Sequence, residues 1–176
     1  MVNKAIWILA AIFALSAGVT DARWRRIPNW LTYPALPVGI VLHSIADGWH
    51  GTRLSFLGAA LGLGLLLPFV LLRSLGGGDW KLVGALGAFF GPQRLLTVLL
   101  ATLLINGIMA LCLVVWKRRV GQTVRNIGRM LAAFFRLHLP GQDLTIESPQ
   151  AIKVPFGVAA AVAVLLYTSK HLGELF

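Results

Sequence analysis

Six acidic side chains occur among 176 residues: Asp21, Asp47, Asp79, Asp143, Glu147 and Glu174. Asp143 and Glu147 sit in a polar stretch and Glu174 in the tail, where water solvates them. Asp47 precedes Gly48, a pairing that suits a loop or a helix cap. Asp21 and Asp79 differ, because each lies at the boundary of an apolar segment. An ionisable group at membrane depth is costly and is a functional candidate for that reason. Two carboxylates brought together cannot both ionise readily, so one keeps a proton while the other stays charged. Such a pair can activate water and polarise a carbonyl without a metal or a nucleophilic serine. The competing structural reading pairs Asp21 with nearby arginines and makes Asp79 a helix cap.

The neighbours of the two acids bear on that choice. Gly76, Gly77 and Gly78 precede Asp79. Glycine reaches positive φ and lets another backbone approach closely, and a helix beginning there would stabilise negative charge by about 0.3–1 kcal/mol. The run could hold an extended peptide beside an acid, or serve as a plain turn. Lys81 either acts on Asp79 through its charge or snorkels to lipid headgroups, and snorkelling is preferred. Arg25 and Arg26 could steady the Asp21 carboxylate. Pro28 and Asn29 suit a helix start, with Asn29 as its cap. His43, His50, His138 and His171 are scattered and form no metal motif. Cys112 is the only cysteine, which excludes an internal disulfide, and it reads as packing. No metal or cofactor is expected.

The elements that must position these groups follow from composition. The chain is 57% hydrophobic and only 12% charged, with mean hydropathy +0.79 and net charge +10. Those values exclude a soluble globular domain and a disordered chain. A basic balance can indicate nucleic acid, but this apolar content points to membrane lipid instead. Apolar segments at 5–20, 30–46, 54–72, 95–116 and 154–169 approach the roughly 20 residues a spanning helix needs. A sixth, 80–90, is too short to cross unaided and ends at Gly91-Pro92. The predicted fold is an all-α integral membrane protein of six helices, the fourth short, forming one domain over 1–176.

Charge supports six. Arg23, Arg25, Arg26, Arg73, Lys81, the basic residues of 117–136 and Lys153 then share one side, leaving Lys4, Arg53, Arg94 and Lys170 on the other. The positive-inside rule makes the first side cytoplasmic and places both termini outside. Omitting the fourth span would scatter the basic residues over both faces. Within 117–150, Val120, Val124, Ile127, Leu131, Phe134 and Phe135 recur at helical spacing opposite a basic face, which predicts a cytoplasmic amphipathic helix lying on anionic lipid between the fifth and sixth spans. The N-terminal run resembles a secretory signal, but the arginines that follow resist translocation, so it is read as a retained span. Asp21 and Asp79 then lie at one depth on the cytoplasmic side.

Three stretches carry a family resemblance. Asp21-Ala22-Arg23-Trp24-Arg25-Arg26-Ile27-Pro28-Asn29-Trp30-Leu31-Thr32 resembles the first signature of type IV prepilin peptidases. Gly76-Gly77-Gly78-Asp79-Trp80-Lys81-Leu82 resembles their G-x-G-D motif with its following x-K-L, and Pro155-Phe156-Gly157-Val158-Ala159 resembles the element opening their last span. The resemblance implies a membrane aspartic endopeptidase of the bacterial inner membrane whose catalytic acids are Asp21 and Asp79. Its substrate would be a prepilin or pseudopilin, cut after a glycine at the cytoplasmic face to release a basic leader. The compact size and Pro-Phe-Gly-Val-Ala look more like the peptidases of tight-adherence (Flp-type) pili. The larger members also methylate the new pilin N-terminus and carry an insertion with paired Cys-x-x-Cys, whereas a single cysteine stands here, so methylation is not expected. Trp80 stands where a smaller aliphatic residue is frequent. Two other readings of the same residues are a G-x-G-D intramembrane protease with non-pilin substrates and a small Asp-dependent transporter, for which Asn106 is the main polar candidate inside another span.

Overall fold

The computed structural model describes residues 2–72, 75–118 and 154–173, with positions 121, 125 and 128. Among them every regular element is helical: α1 (Val2–Trp24), α2 (Asn29–Leu71), α3 (Gly77–Trp116) and α4 (Phe156–Gly173). The first three are long and apolar enough to cross a bilayer, α4 being a shorter apolar helix, and the protein is an integral membrane protein. The expected amphipathic helix of 117–150 lies outside the described residues, apart from its first two and those isolated positions.

A straight α2 would be roughly 65 Å long, about twice the hydrocarbon thickness. It does not run straight. Asp47 (φ −131°, ψ 19°) and Gly48 (φ 56°, ψ −136°) leave helical geometry, the second in the left-handed region that glycine occupies without penalty. The Ser44 and Thr52 hydroxyls then meet at 2.6 Å, whereas an unbroken helix would hold them about 12 Å apart. The chain has reversed. A second break falls at Gly91 (φ 70°, ψ 175°), with Pro92 opening the next stretch. Here Gly62 faces both Val83 and Leu95, since a Cβ on it would lie 2.8 Å from the Val83 carbonyl and 3.1 Å from the Leu95 side chain. In a continuous helix those two residues would be about 18 Å apart. α2 and α3 are therefore four segments, 29–46, 49–71, 77–90 and 92–116. With α1 and α4 they make six helical segments among the described residues. The third begins earlier than the expected 54.

The 77–90 segment is central. Every residue from Leu82 to Gly91 is buried. Gly39 packs on Ala88, and Gly58 meets Gly87 so tightly that a Cβ on either would lie 2.1–2.2 Å from the other's carbonyl oxygen. Phe13 of α1 stacks on Phe89 at 5.9 Å between centroids, and Tyr167 of α4 meets Phe90 edge-on at 6.0 Å. The break behind this helix exposes a polar problem. Pro92 has no N–H to offer the Ala88 carbonyl, and the kink at Gly91 separates Phe89 from its helical partner. Two side chains from α2 take these places: Ser55 Oγ donates to the Ala88 carbonyl at 2.7 Å, and His43 Nε2 bonds the Phe89 carbonyl at 2.8 Å. Both residues are buried. In apolar surroundings an orphan carbonyl costs several kcal/mol, so these bonds permit the turn.

α1 and α4 pair along small residues. Ala10, Ala14 and Ala17 are fully buried on one helix, Ala159 and Ala160 on the other. A Cβ on Gly18 would come within 2.8 Å of the Ala161 methyl, a close approach of the small-residue kind that drives helix association in lipid. At the far end Trp7 stacks on His171 at 5.3 Å, Tyr167 lies 4.3 Å from the same imidazole, and Arg94 sits over Trp7 at 5.3 Å.

Ser55→Ala leaves the Ala88 carbonyl buried without its donor. It is expected to cost about 1–3 kcal/mol of stability, read as a lowered unfolding temperature in detergent. Ser16→Ala, which removes only an exposed bond to the Ile12 carbonyl, should stay within about 0.5 kcal/mol of the parent.

Candidate active site

α1 ends at Asp21-Ala22-Arg23-Trp24. Arg25 turns left-handed (φ 53°) and its N–H donates to the Asp21 carbonyl at 2.8 Å, the single-bond closure of an αL cap. A non-glycine residue there is uphill by about 1–2 kcal/mol, offset by the satisfied carbonyl. The turn sends the chain through Ile27 and Pro28 into α2 and keeps the Asp21 side chain on the last turn of α1. Asp21 is only 6% exposed. Its Oδ2 accepts the Gly157 N–H of α4 at 2.7 Å. No other residue type fits at 157, because a Cβ would lie 2.8 Å from the Asp21 Cβ and 3.2 Å from the Ala17 carbonyl oxygen. Pro155 precedes this turn, its carbonyl accepting the Ala159 N–H at 3.4 Å.

Asp79 lies in the first turn of α3, behind the N-cap Gly76. Its carboxylate accepts the Gly76 N–H, the reach-back half of a capping box. The glycine run makes no use of the positive φ open to glycine. Gly76 is extended (φ −70°, ψ 141°) and Gly77 and Gly78 are already helical. What the run supplies is room. Gly78 lies against Ile27, whose Cβ would be 3.3 Å from a Cβ placed there, and Gly77 faces open space. The Ile27–Gly78 contact sets the end of α1 beside the start of α3. Asp21 and Asp79 are thereby brought within electrostatic reach of each other, with Arg25 acting on Asp21. Arg26 is exposed.

Around the pair, two expectations give way. Asn29 is not a cap: the N-cap is Pro28, with no side-chain capping bond. Instead Asn29 Oδ1 accepts Lys81 Nζ at 2.9 Å, and the ammonium lies 4.8 Å from the Tyr33 ring centre. Lys81 is thus held between the starts of α2 and α3 rather than extended freely to headgroups. Trp80 turns away from Asp79, its indole N–H donating to the Leu63 carbonyl at 2.7 Å. Cys112 is exposed on α3. Asn106 Oδ1, on the same segment, is enclosed without a hydrogen-bond partner among the described residues. No three His, Cys, Asp or Glu side chains gather among the described residues. Ile27 and Tyr33 were missed by sequence reasoning, since neither residue type signals chemistry. Ile27 lies within the first signature and Tyr33 directly follows it, which was the only available pointer.

The arrangement sets two carboxylates at two helix N-termini, those of α3 and α4, where partial positive charge and free N–H groups stabilise anions. One acid can then remain charged beside a second that shares a proton, which is acid–base machinery for adding water to a carbonyl.

Residues 8–111 match the model of the type IV leader peptidase family, a stretch that includes both acids but stops short of α4. A curated relative, the prepilin leader peptidase/N-methyltransferase of Xanthomonas campestris pv. campestris, is 29% identical over 109 residues, covering 58% of this chain and 38% of the relative. The match thus takes in well under half of that protein's length. No solved structure matches.

The contact that joins the two acids can be tested without an activity assay. In a Cys112→Ser background, Ile27→Cys with Gly78→Cys should oxidise to a disulfide, because the Cβ separation is close to the roughly 3.5–4.5 Å such bonds require. Peptides carrying positions 27 and 78 would then stay joined until reduced. Persistent free thiols after mild oxidation would contradict the geometry.

Proposed function

Because the chain belongs to the type IV leader peptidase family, we propose that it is an aspartic endopeptidase that removes the basic leader from prepilins or pseudopilins, those of Flp-type pili first among them. The observation that carries the proposal is the approach of Asp21 and Asp79 from different helices, each carboxylate held by a backbone N–H at a helix N-terminus. One carboxylate takes a proton from water as the oxygen attacks the scissile carbonyl, and the protonated partner hydrogen-bonds the carbonyl oxygen as negative charge grows on it. Collapse of the tetrahedral adduct returns a proton to the leaving amine. The pair titrates as a unit, so the two roles belong to the dyad rather than to one member.

In this reading 1–176 is a single domain of six membrane-crossing segments, 77–90 the short one, in the bacterial inner membrane. Both termini lie outside and the acids face the cytoplasm, where the basic residues also fall. The pilin's apolar helix lies in the bilayer alongside the enzyme. Its leader junction, cut after a glycine, passes extended over Gly76–Gly78. The basic leader is not drawn in by the enzyme's positive charge, which serves orientation and contact with anionic lipid. Segment 117–150 lies on that lipid as an amphipathic helix. Lys81 and Asn29 brace the starts of α2 and α3, and Arg25 and Arg26 flank Asp21. The methyl transfer in the relative's name is not part of the proposal.

Asp21→Asn and Asp79→Asn should each lower leader cleavage by at least about 10³-fold, measured on purified protein with a co-reconstituted Flp-type prepilin, while membrane insertion is retained. Replacing the junction glycine of the substrate should likewise stop cleavage by the parent enzyme. Continued cutting of such a substrate would favour a broader intramembrane protease, and normal processing by either Asn variant would remove the dyad.

A further inference from the structure

α4 contributes no acid, yet it reaches the candidate dyad through one atom. Gly157 is the second residue of α4, so its N–H is one of the amides that a helix cannot satisfy internally. In apolar surroundings that amide needs a partner, and the structure supplies one from 136 positions away: Asp21 Oδ2 at 2.7 Å. The approach is bought by the missing side chain, since a Cβ at 157 would collide with the Asp21 Cβ at 2.8 Å and crowd Oδ2 at 3.1 Å. The seam behind it is equally close, with Ala17 and Ala160 buried and Gly18 against Ala161. A bond to Oδ2 from a fixed backbone donor sets the rotation of the whole carboxylate plane, and with it the direction in which the other oxygen points.

We infer that Gly157 is a positioning residue: its backbone N–H aims the Asp21 carboxylate at Asp79 and the attacking water. The inference rests on the reading of Asp21 and Asp79 as the hydrolytic pair. It extends the site to a helix that lies beyond the residues 8–111 matched by the family. Among the described residues, Arg25 acts on Asp21 and Asp21 acts on Asp79, from the ends of α1 and α3. α4 meets Asp21 through the uncharged Gly157 amide.

The test removes the N–H without adding an atom. Full-length protein is made by cell-free synthesis into nanodiscs, with glycolic acid incorporated at position 157 so that an ester oxygen replaces the amide. A matched ester at Ala161, made with lactic acid, removes an ordinary helix bond one turn further on. Cleavage is followed with a synthetic peptide carrying a basic leader, a glycine junction and the first apolar residues of a pilin, and rates are taken per folded molecule. The ester at 157 should lower kcat about 10- to 100-fold with KM within about twofold, while the ester at 161 leaves kcat near the parent value. Equal kcat for the two esters, with Asp21→Asn inactive, would overturn the positioning role and leave the dyad standing. So would a loss of folded protein at 157 with no loss of kcat per folded molecule. Full activity of Asp21→Asn would overturn the dyad itself, and the inference with it.

Discussion

A backbone amide or carbonyl shut away from water must find a partner within the protein, and the placement of both candidate acids follows from that requirement. Helices satisfy it everywhere except at their ends. Two sets of ends call for such partners here, buried throughout except at the start of α3, where Gly76 and Asp79 are half-buried. At one, the break at Gly91-Pro92 strands the carbonyls of Ala88 and Phe89, and Ser55 and His43 cover them. At the other, the starts of α3 and α4 strand amides, and carboxylates cover those: Asp79 on Gly76 and Asp21 on Gly157. The acids that could perform chemistry are also the groups that complete two helices. A structural and a catalytic role for them are therefore not exclusive, and the same hydrogen bonds that finish the fold give each carboxylate a defined direction.

Charge and packing cooperate in this. Two carboxylates at short range repel, and in a medium of low dielectric the repulsion is severe. Against it stand two helix N-termini, the guanidinium of Arg25 and the option of holding a proton between the pair. Small residues make the convergence sterically feasible. Gly157 admits Asp21, Gly78 admits Ile27, and Gly58 with Gly87 lets the central segment sink among its neighbours. Dispersion rather than water release holds such contacts in lipid, so close approach of backbones is itself the stabilising term.

Much of this was legible in the residues. The apolar segments, the reversals at Asp47-Gly48 and Gly91-Pro92, and the singling out of Asp21 and Asp79 all follow from hydropathy, from glycine and proline chemistry and from the cost of burying an acid. What escaped was long-range. Lys81 finds Asn29 across 52 positions, and no local pattern distinguishes that bond from snorkelling. Asn29 looked like a cap because asparagine often is one, but Pro28 already holds the extended geometry that precedes the helix. The glycine run read as a peptide cradle or a plain turn, yet α3 begins at Gly77 and takes two of the three into ordinary helix. A glycine chosen for absence of bulk and one chosen for its torsion angles are spelled alike.

The pair formed by α1 and α4 is fastened at both extremities. Rings of Trp7, Tyr167 and His171 interlock at one end, the hydrogen bond from Gly157 to Asp21 closes the other, and methyl-sized residues fill the seam between. Shear along that seam would have to unstack the rings and break the bond together, so the two rods behave as a single lever. A displacement of the last helix along the seam would reach Asp21 through the Gly157 bond.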